Sequence, residues 1–312
     1  MNKRNIVNDK KLVSEIGLGT WQFCNTSSWK GPDKKKAIKM VKTAYNLGCN
    51  FFDTAPNYSN GESEIVLGEA INSLDIRKNV FINTKFGHWS DGSIDFDPDK
   101  IEDSVLESLD RLSTKYIDSL VLHNPSSEIL EGKTKHFEIL SNLKNKGLIN
   151  HFGVSVDTSK EMIKAIQNTN IDVIEVMFNM IHQEPKKAFD LAKKENISII
   201  VKVPLDSGWL TGKYDKDSSF NGIRDRWSKK DIFNRDILIK DLKEIIDGKD
   251  IILQALSFIL SYDEITTVIP GAKNKKQLKH NLSASKEPIE KEIKEKIENL
   301  YNKKIKDMNI PW

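Results

Sequence analysis

Short apolar runs alternate with stretches of helical period along nearly the whole chain. Runs rich in β-branched or aromatic residues fall at Ile16 to Gly19, Asn50 to Phe52, Val80 to Thr84, Ile117 to Leu122, Phe152 to Ser155, Val173 to Met177, Ser198 to Val203 and Thr266 to Ile269. Between most of them apolar residues recur at helical spacing: Ala37, Val41, Ala44 and Tyr45 before Gly48; Ile101, Val105, Leu109 and Leu112 after Asp97-Pro98; Phe137, Leu140 and Leu143 before Gly147. These spacings predict helices, the third ended by its glycine. Because the runs are apolar throughout rather than at every second residue, they predict a parallel sheet covered by helices. Eight runs in 312 residues favour a closed (β/α)8 TIM barrel, a single domain over residues 1–312. An open, doubly wound sheet is the rival. Ile16-Gly-Leu-Gly-Thr-Trp-Gln22 holds only two glycines of a dinucleotide fingerprint and opens into no clear helix, which ranks the open sheet below the barrel.

The longest interruption, Leu205 to about Asp231, follows the seventh run and is too long for an ordinary connector, which predicts a functional flap. Between Lys286 and Lys306 the residues Ile289, Ile293, Ile297 and Leu300 keep helical spacing, so this lysine-rich stretch reads as an amphipathic outer helix.

Composition narrows the function classes. The 48 basic and 45 acidic side chains leave a net charge of only +3, so the lysines read as solvated helix faces and no nucleic-acid partner is expected. Cys24 and Cys49 make no disulfide framework, and no run of about 18 apolar residues occurs, so no membrane partner and a cytoplasmic location are expected. Strand ends carry no His-x-His and no clustered carboxylates, which argues against a metal.

The densest chemistry lies in Asp53-Thr-Ala-Pro-Asn-Tyr-Ser-Asn-Gly-Glu-Ser-Glu64, where a carboxylate and a phenol follow the end of a strand run. Ser63 reads as the N-cap of the next helix. Lys85 ends the third run and His123 the fourth. Singly, each is more simply a turn former, a packed ring, a solvated charge or a structural histidine. In a barrel, however, the carboxyl ends of the strands share one face, so Asp53, Tyr58, Lys85 and His123 converge on one mouth.

These residues, in this order, resemble those of the aldo-keto reductases. The likeness extends through Gly17-Leu-Gly-Thr-Trp-Gln22, Thr84-Lys-Phe-Gly87, Leu109-Asp-Arg-Leu112, Phe152-Gly-Val-Ser155, Gly208-Trp-Leu-Thr-Gly-Lys213 and Ile269-Pro-Gly-Ala272. It implies a barrel that binds NADP(H), with NAD(H) possible, and an oxidoreductase that reduces an aldehyde, ketone or sugar-like carbonyl or runs the reverse oxidation. The alternative it leaves is a catalytically weak, NADP(H)-binding redox sensor on the same barrel; oligomeric state is not legible.

Hydride addition to a carbonyl creates an alkoxide that needs a proton. Tyr58 is the candidate donor. An ammonium about 4 Å from a phenolate stabilises it by roughly 4 kcal/mol at an effective dielectric of about 20, enough to lower a phenol by about three pKa units before desolvation opposes it. Lys85 is the candidate for this, with Asp53 keeping it charged and His123 donating to the substrate oxygen.

The resemblance also implies cofactor contacts. Ser155 matches a serine that binds the nicotinamide carboxamide, Glu175 stands in the place of a glutamine, and Lys202 in that of a stacking aromatic ring. Leu205, Ser207 and Leu210 would wrap the pyrophosphate, and Gly19, Thr20, Pro204 and Gly271 complete the cradle. Lys273 is the expected partner of a 2′-phosphate, with Gln277 where many members have arginine and Asn281 at the adenine. Trp21, Trp89 and Trp227 would build an apolar substrate wall, and Arg224 and Arg226 would admit an anionic substrate.

Overall fold

The computed structural model describes residues 1–6, 11–24, 30–308 and 310–311, the side chain of Ile223 excepted. A hairpin of β1 (Lys3–Asn5) and β2 (Leu12–Ser14) precedes eight parallel strands: β3 (Leu18–Gly19), β4 (Phe51–Asp53), β5 (Phe81–Phe86), β6 (Ile117–His123), β7 (Ile149–Val156), β8 (Val173–Met177), β9 (Ser198–Lys202) and β10 (Ile265–Val268). Each of the eight pairs with the next in sequence, and the sheet curls until its two edges meet. Parallel bridges from Ile16 to Val268 and from Gly19 to Gly271 join them, with the Gly17 N–H donating to the Val268 carbonyl at 2.8 Å. The eight predicted strands and the (β/α)8 architecture are therefore present. The hairpin lies outside the predicted runs, because strands of three residues leave too short a pattern to read.

The helices are α1 (Lys34–Asn46), α2 (Glu62–Asn72), α3 (Ile101–Arg111), α4 (Ser127–Leu130), α5 (His136–Asn145), α6 (Ser159–Asn168), α7 (Phe189–Lys194), α8 (Lys229–Ile245), α9 (Ile251–Leu260), α10 (Lys275–Ser283) and α11 (Lys291–Leu300). The start of α2 corrects the sequence reading. Gly61, not Ser63, is its N-cap, in a left-handed conformation (φ 85°) that follows two further left-handed residues, Ser59 and Asn60. Ser63 lies inside the first turn, where its hydroxyl donates to Thr20 Oγ1 at 2.6 Å and so ties α2 to the end of β3. Among the described residues no helix is long and apolar enough to cross a membrane.

Strand periodicity divides the barrel interior into two zones. Successive side chains alternate between the barrel axis and the helices. One layer of inward residues forms an apolar plug of Phe51, Phe81, Val121, Val173 and Ile200, joined by Ile6 and Val13 around the hairpin. Phe51 and Phe81 stack with ring centroids 5.1 Å apart. Two residues further along the same strands, the inward positions become Asp53, Asn83, His123, Glu175 and Lys202. A larger apolar core fills the space between strands and helices.

The long loop after β9 is packed. Trp209, Tyr214, Phe220 and Trp227 form an aromatic cluster, mostly edge-to-face, with centroid separations of 4.9–6.1 Å. Arg235, fully buried on α8, donates to Asp206 Oδ2 at 3.0 Å and to the Pro311 carbonyl at 2.5 Å. The irregular stretch ends at Ser228, which caps α8 reciprocally with Asp231.

Candidate active site

Lys85 stands at the centre of the polar zone and is 1% exposed. Its ammonium lies 2.5 Å from Asp53 Oδ1 and 3.2 Å from Glu175 Oε2, and donates to the Thr54 carbonyl at 3.1 Å. Asn83 clamps the same two carboxylates, donating through Nδ2 to Asp53 Oδ1 (2.8 Å) and Glu175 Oε2 (3.0 Å), while Ser119 fixes the amide by donating to its Oδ1 at 2.6 Å. A second ammonium, on Lys202, donates to Ser155 Oγ at 2.9 Å and to Asn124 Oδ1 at 3.0 Å and pairs with Asp157 at 3.0 Å. Ser155 in turn donates to Glu175 Oε1 at 3.3 Å. The network therefore runs across β9, β7, β8, β5 and β4, a connection set by register and invisible in any one segment.

Tyr58 is carried by the turn after β4. Its N–H donates to the Ala55 carbonyl at 3.1 Å, and the neighbouring Ser59 hydroxyl anchors the turn to the Phe23 carbonyl at 2.6 Å. Behind this turn, buried Glu64 pairs with Arg111 Nε at 2.7 Å and accepts from Thr84 at 2.6 Å, which braces the turn against the strand that carries Lys85. Lys85 Nζ lies 5.3 Å from the centroid of the Tyr58 ring, and His123 approaches the ring edge-on at 6.4 Å. His88, unforeseen in the sequence, stacks on His123 at 4.2 Å. The signal that could have found it is its place directly after Gly87 at the end of a strand.

Charge states follow from burial. Burial and the nearby Glu175 push the Asp53 carboxyl up to about 7, against the pull of Lys85. Burial opposes the charge on Lys85, yet Asp53 and Glu175 outweigh it and hold the ammonium above its ordinary range. Burial holds the His123 imidazole well below its usual value, helped by the positive charge of Lys85, and the ring is neutral. Tyr58 departs from expectation: burial raises the phenol, and the lowering pull of Lys85 does not compensate, because Asp53 and Glu175 offset that ammonium.

Above this floor opens a cavity of about 410 Å³. Asp53, Tyr58, His123, Glu175 and Lys202 line it, and Lys85 sits just behind Asp53. Of the other predicted positions, Gly19, Pro204, Leu205, Ser207, Gly271, Lys273, Gln277 and Asn281 line the cavity. Thr20 and Leu210 are buried behind it, Thr20 holding the Asp53 carbonyl. Trp21 lines the cavity, but Trp89 and Trp227 do not. Trp89 donates to the Asp95 carbonyl at 3.1 Å, and Trp227 is buried in the aromatic cluster of the long loop. Loop paths, which carry no periodicity, decide such placements. Lys213, Arg224 and Arg226 join Lys273 around the cavity, and burial together with Lys213 and Arg224 lowers the Lys273 ammonium. The N-terminus of α10 adds a helix dipole beside Lys273.

These features fit an elongated, partly anionic cofactor. A Cβ at Gly271 would meet only the far end of the Gln22 side chain, at 2.8 Å, which lines the same wall. Val203, Asp206 and Ser207 take left-handed backbones along the opposite wall, where Asn179 pins the Val203 carbonyl at 3.0 Å. Among the described residues, Asn57 Oδ1 and His123 Nδ1 are buried without hydrogen-bond partners. Among the described residues no group of three or more His, Cys, Asp or Glu side chains could hold a metal ion.

Comparison with known proteins agrees with this geometry. Residues 15–302 match the model of a family described as the aldo/keto reductase family. An uncharacterized oxidoreductase of Bacillus subtilis is 29% identical over 301 residues, covering 94% of this chain and 95% of its own. An NADH-specific methylglyoxal reductase of Escherichia coli is 26% identical over 296 residues, covering 87% and 90%. Among solved structures, the holo form of an aldo-keto reductase from Bacillus halodurans superposes with a TM-score of 0.80 at 26% identity, covering 96% of each chain.

Proposed function

The chain belongs to the aldo/keto reductase family and is an NAD(P)H-dependent oxidoreductase, and from that premise we propose that Tyr58 gives the proton in reduction of a small aldehyde or ketone to its alcohol. The observation that carries this reading is the convergence of Tyr58, His123, Asp53 and buried Lys85 on one end of a long, cation-rimmed cavity.

A bound reduced nicotinamide supplies hydride. A substrate carbonyl seated between Tyr58 and His123 accepts a hydrogen bond from the neutral imidazole, which fixes its orientation without adding a competing charge. The alkoxide that forms is far more basic than a phenolate, so it draws the proton from Tyr58 even though burial keeps that phenol protonated in the resting site. Lys85, held by two carboxylates, stabilises the phenolate left behind. In alcohol oxidation the same groups run in reverse.

A hydride donor must lie within about 3–3.5 Å of the carbonyl carbon. A nicotinamide that meets this requirement would be held over Glu175 and Lys202, with Ser155 buried behind them, beside Tyr58 and His123. Leu205, Ser207 and Gly271, with Lys273, Gln277 and Asn281 beyond them, would hold the rest of the cofactor. Lys273, with Lys213, Arg224 and the α10 N-terminus nearby, favours a 2′-phosphate and hence NADP(H). The relative named for methylglyoxal and for NADH makes a small dicarbonyl a first substrate to try and makes NADH the control. Anaerobic fluorescence titration with NADPH and NADH, followed by a panel of aldehydes and ketones, tests the reading. Turnover of small carbonyls with NADPH preferred is expected; tight binding without turnover of any carbonyl would instead favour the redox-sensing alternative.

A further inference from the structure

The floor of the site holds more negative charge than its two ammonium groups balance. Asp53 and Glu175 share the single ammonium of Lys85, at 2.5 and 3.2 Å. The second ammonium, Lys202, has its own acid, Asp157, at 3.0 Å. The remaining titratable groups that face the floor are Tyr58, whose phenol is protonated, and the stacked pair His123 and His88, whose imidazoles are both held below their usual range by burial. With every carboxyl ionised, three acids oppose two bases, and one negative charge is left over. Glu175 is the residue that creates the surplus: it lines the cavity, it is 1% exposed, and its two oxygens are engaged by Ser155, Asn83 and Lys85.

We propose that Glu175 makes this site prefer the oxidised, cationic nicotinamide over the reduced, neutral one, and so makes the bound reduced form a stronger hydride donor. The inference rests on the nicotinamide position proposed above. The two redox forms share every other part of the cofactor, so contacts along the long cavity cancel between them. What differs is a single positive charge on the ring, and a buried carboxylate that shares its only ammonium with a second acid discriminates by that charge. A glutamine in this place would offer the same shape and no charge. The floor also exchanges a proton with the ligand: Asp53, raised to about 7 by burial and Glu175, carries part of a proton near neutrality. A cation arriving above it favours the carboxylate and sends that proton to solvent.

Two measurements test this, and neither depends on turnover. Tryptophan fluorescence titration of wild type and Glu175→Gln with NADP⁺ and NADPH gives the affinity for the oxidised form relative to the reduced. The variant is expected to lower that ratio by about tenfold; an unchanged ratio overturns the proposal. The second measurement uses wild type alone and so does not depend on the variant folding. Calorimetry at pH 7 in buffers of different ionisation enthalpy counts protons released on binding. More proton release is expected with NADP⁺ than with NADPH, and any contribution of the 2′-phosphate cancels in the comparison. Equal counts overturn the proposal. Failure of both forms to bind wild type would overturn the nicotinamide reading itself, whereas binding of both with equal ratios and equal counts removes only the role of Glu175.

Discussion

Replacing Lys85 with methionine removes the one ammonium that two buried carboxylates share. At separations of 2.5 and 3.2 Å the gross attractions are about 7 and about 5 kcal/mol at an effective dielectric of about 20. Much of this is offset by the desolvation of the ammonium itself. What remains on truncation is the penalty of leaving acids buried without a partner, about 3–5 kcal/mol. The loss depends on pH. Without the ammonium, Asp53 rises further above the value of about 7 that burial and Glu175 already impose. Between its unfolded value of about 4 and that raised value, the folded state binds a proton that the unfolded state lacks, so stability falls as pH rises through this window. In wild type, Lys85 has a raised pKa, so its stabilisation is fully present below about 10.5 and is flat over the same range. Urea unfolding of wild type and Lys85→Met at pH 5 and pH 8 reads the difference. The full loss is expected at pH 8, a drop of about 1 M or more in midpoint for an m-value of about 3 kcal/mol/M. A loss smaller by about 1 kcal/mol is expected at pH 5, because wild type itself loses stability as Asp53 ionises toward its value of about 7. Adding Asp53→Asn to the variant should recover part of the loss at pH 8. A destabilisation below about 1 kcal/mol at both pH values, or one independent of pH, would refute the shared-ammonium account.

Two further outcomes follow from the same geometry. His123→Ala should lower kcat by about 10²–10³-fold, as loss of an oxyanion-side donor does. Because burial and Lys85 hold this imidazole well below its usual range, any break in the wild-type pH profile near neutrality should persist in the variant; a break that disappears in the variant contradicts the neutral donor. Lys273→Ala should raise KM for NADPH by about tenfold while leaving KM for NADH within about twofold, the signature of one charge-assisted phosphate contact. Equal effects on both cofactors would place the 2′-phosphate elsewhere.

The ends of the strands were legible because ionisable side chains interrupt apolar runs there. Asp53 closes Phe51-Phe52, Lys85 follows Ile82-Asn83-Thr84, and His123 closes Leu120-Val121-Leu122. Barrel geometry alone then sends them to one mouth. The link between Glu175 and Lys85 was not legible, since it depends on which inward positions of β5 and β8 meet across the barrel axis. Nor was the state of Tyr58: an ammonium near a phenol lowers its pKa only if that ammonium is not already neutralised, and its two acids lie on different strands. Trp89 and Trp227 sit on irregular segments, where the residue type carries no information about which side of the chain faces the cavity. Gly61 displaced Ser63 as the cap because a left-handed start is open to glycine at little cost, while Ser63 is taken up by Thr20.

Tyr58→Phe addresses the proposed proton donor most directly. It removes one hydroxyl and keeps the ring that packs beside Lys85 and His123. NADPH binding, followed by fluorescence, should stay within about twofold of wild type, while kcat for aldehyde reduction falls by about 10²–10⁴-fold, the range of general acid catalysis. A variant that binds NADPH normally and still reduces the aldehyde at the wild-type rate would contradict the account.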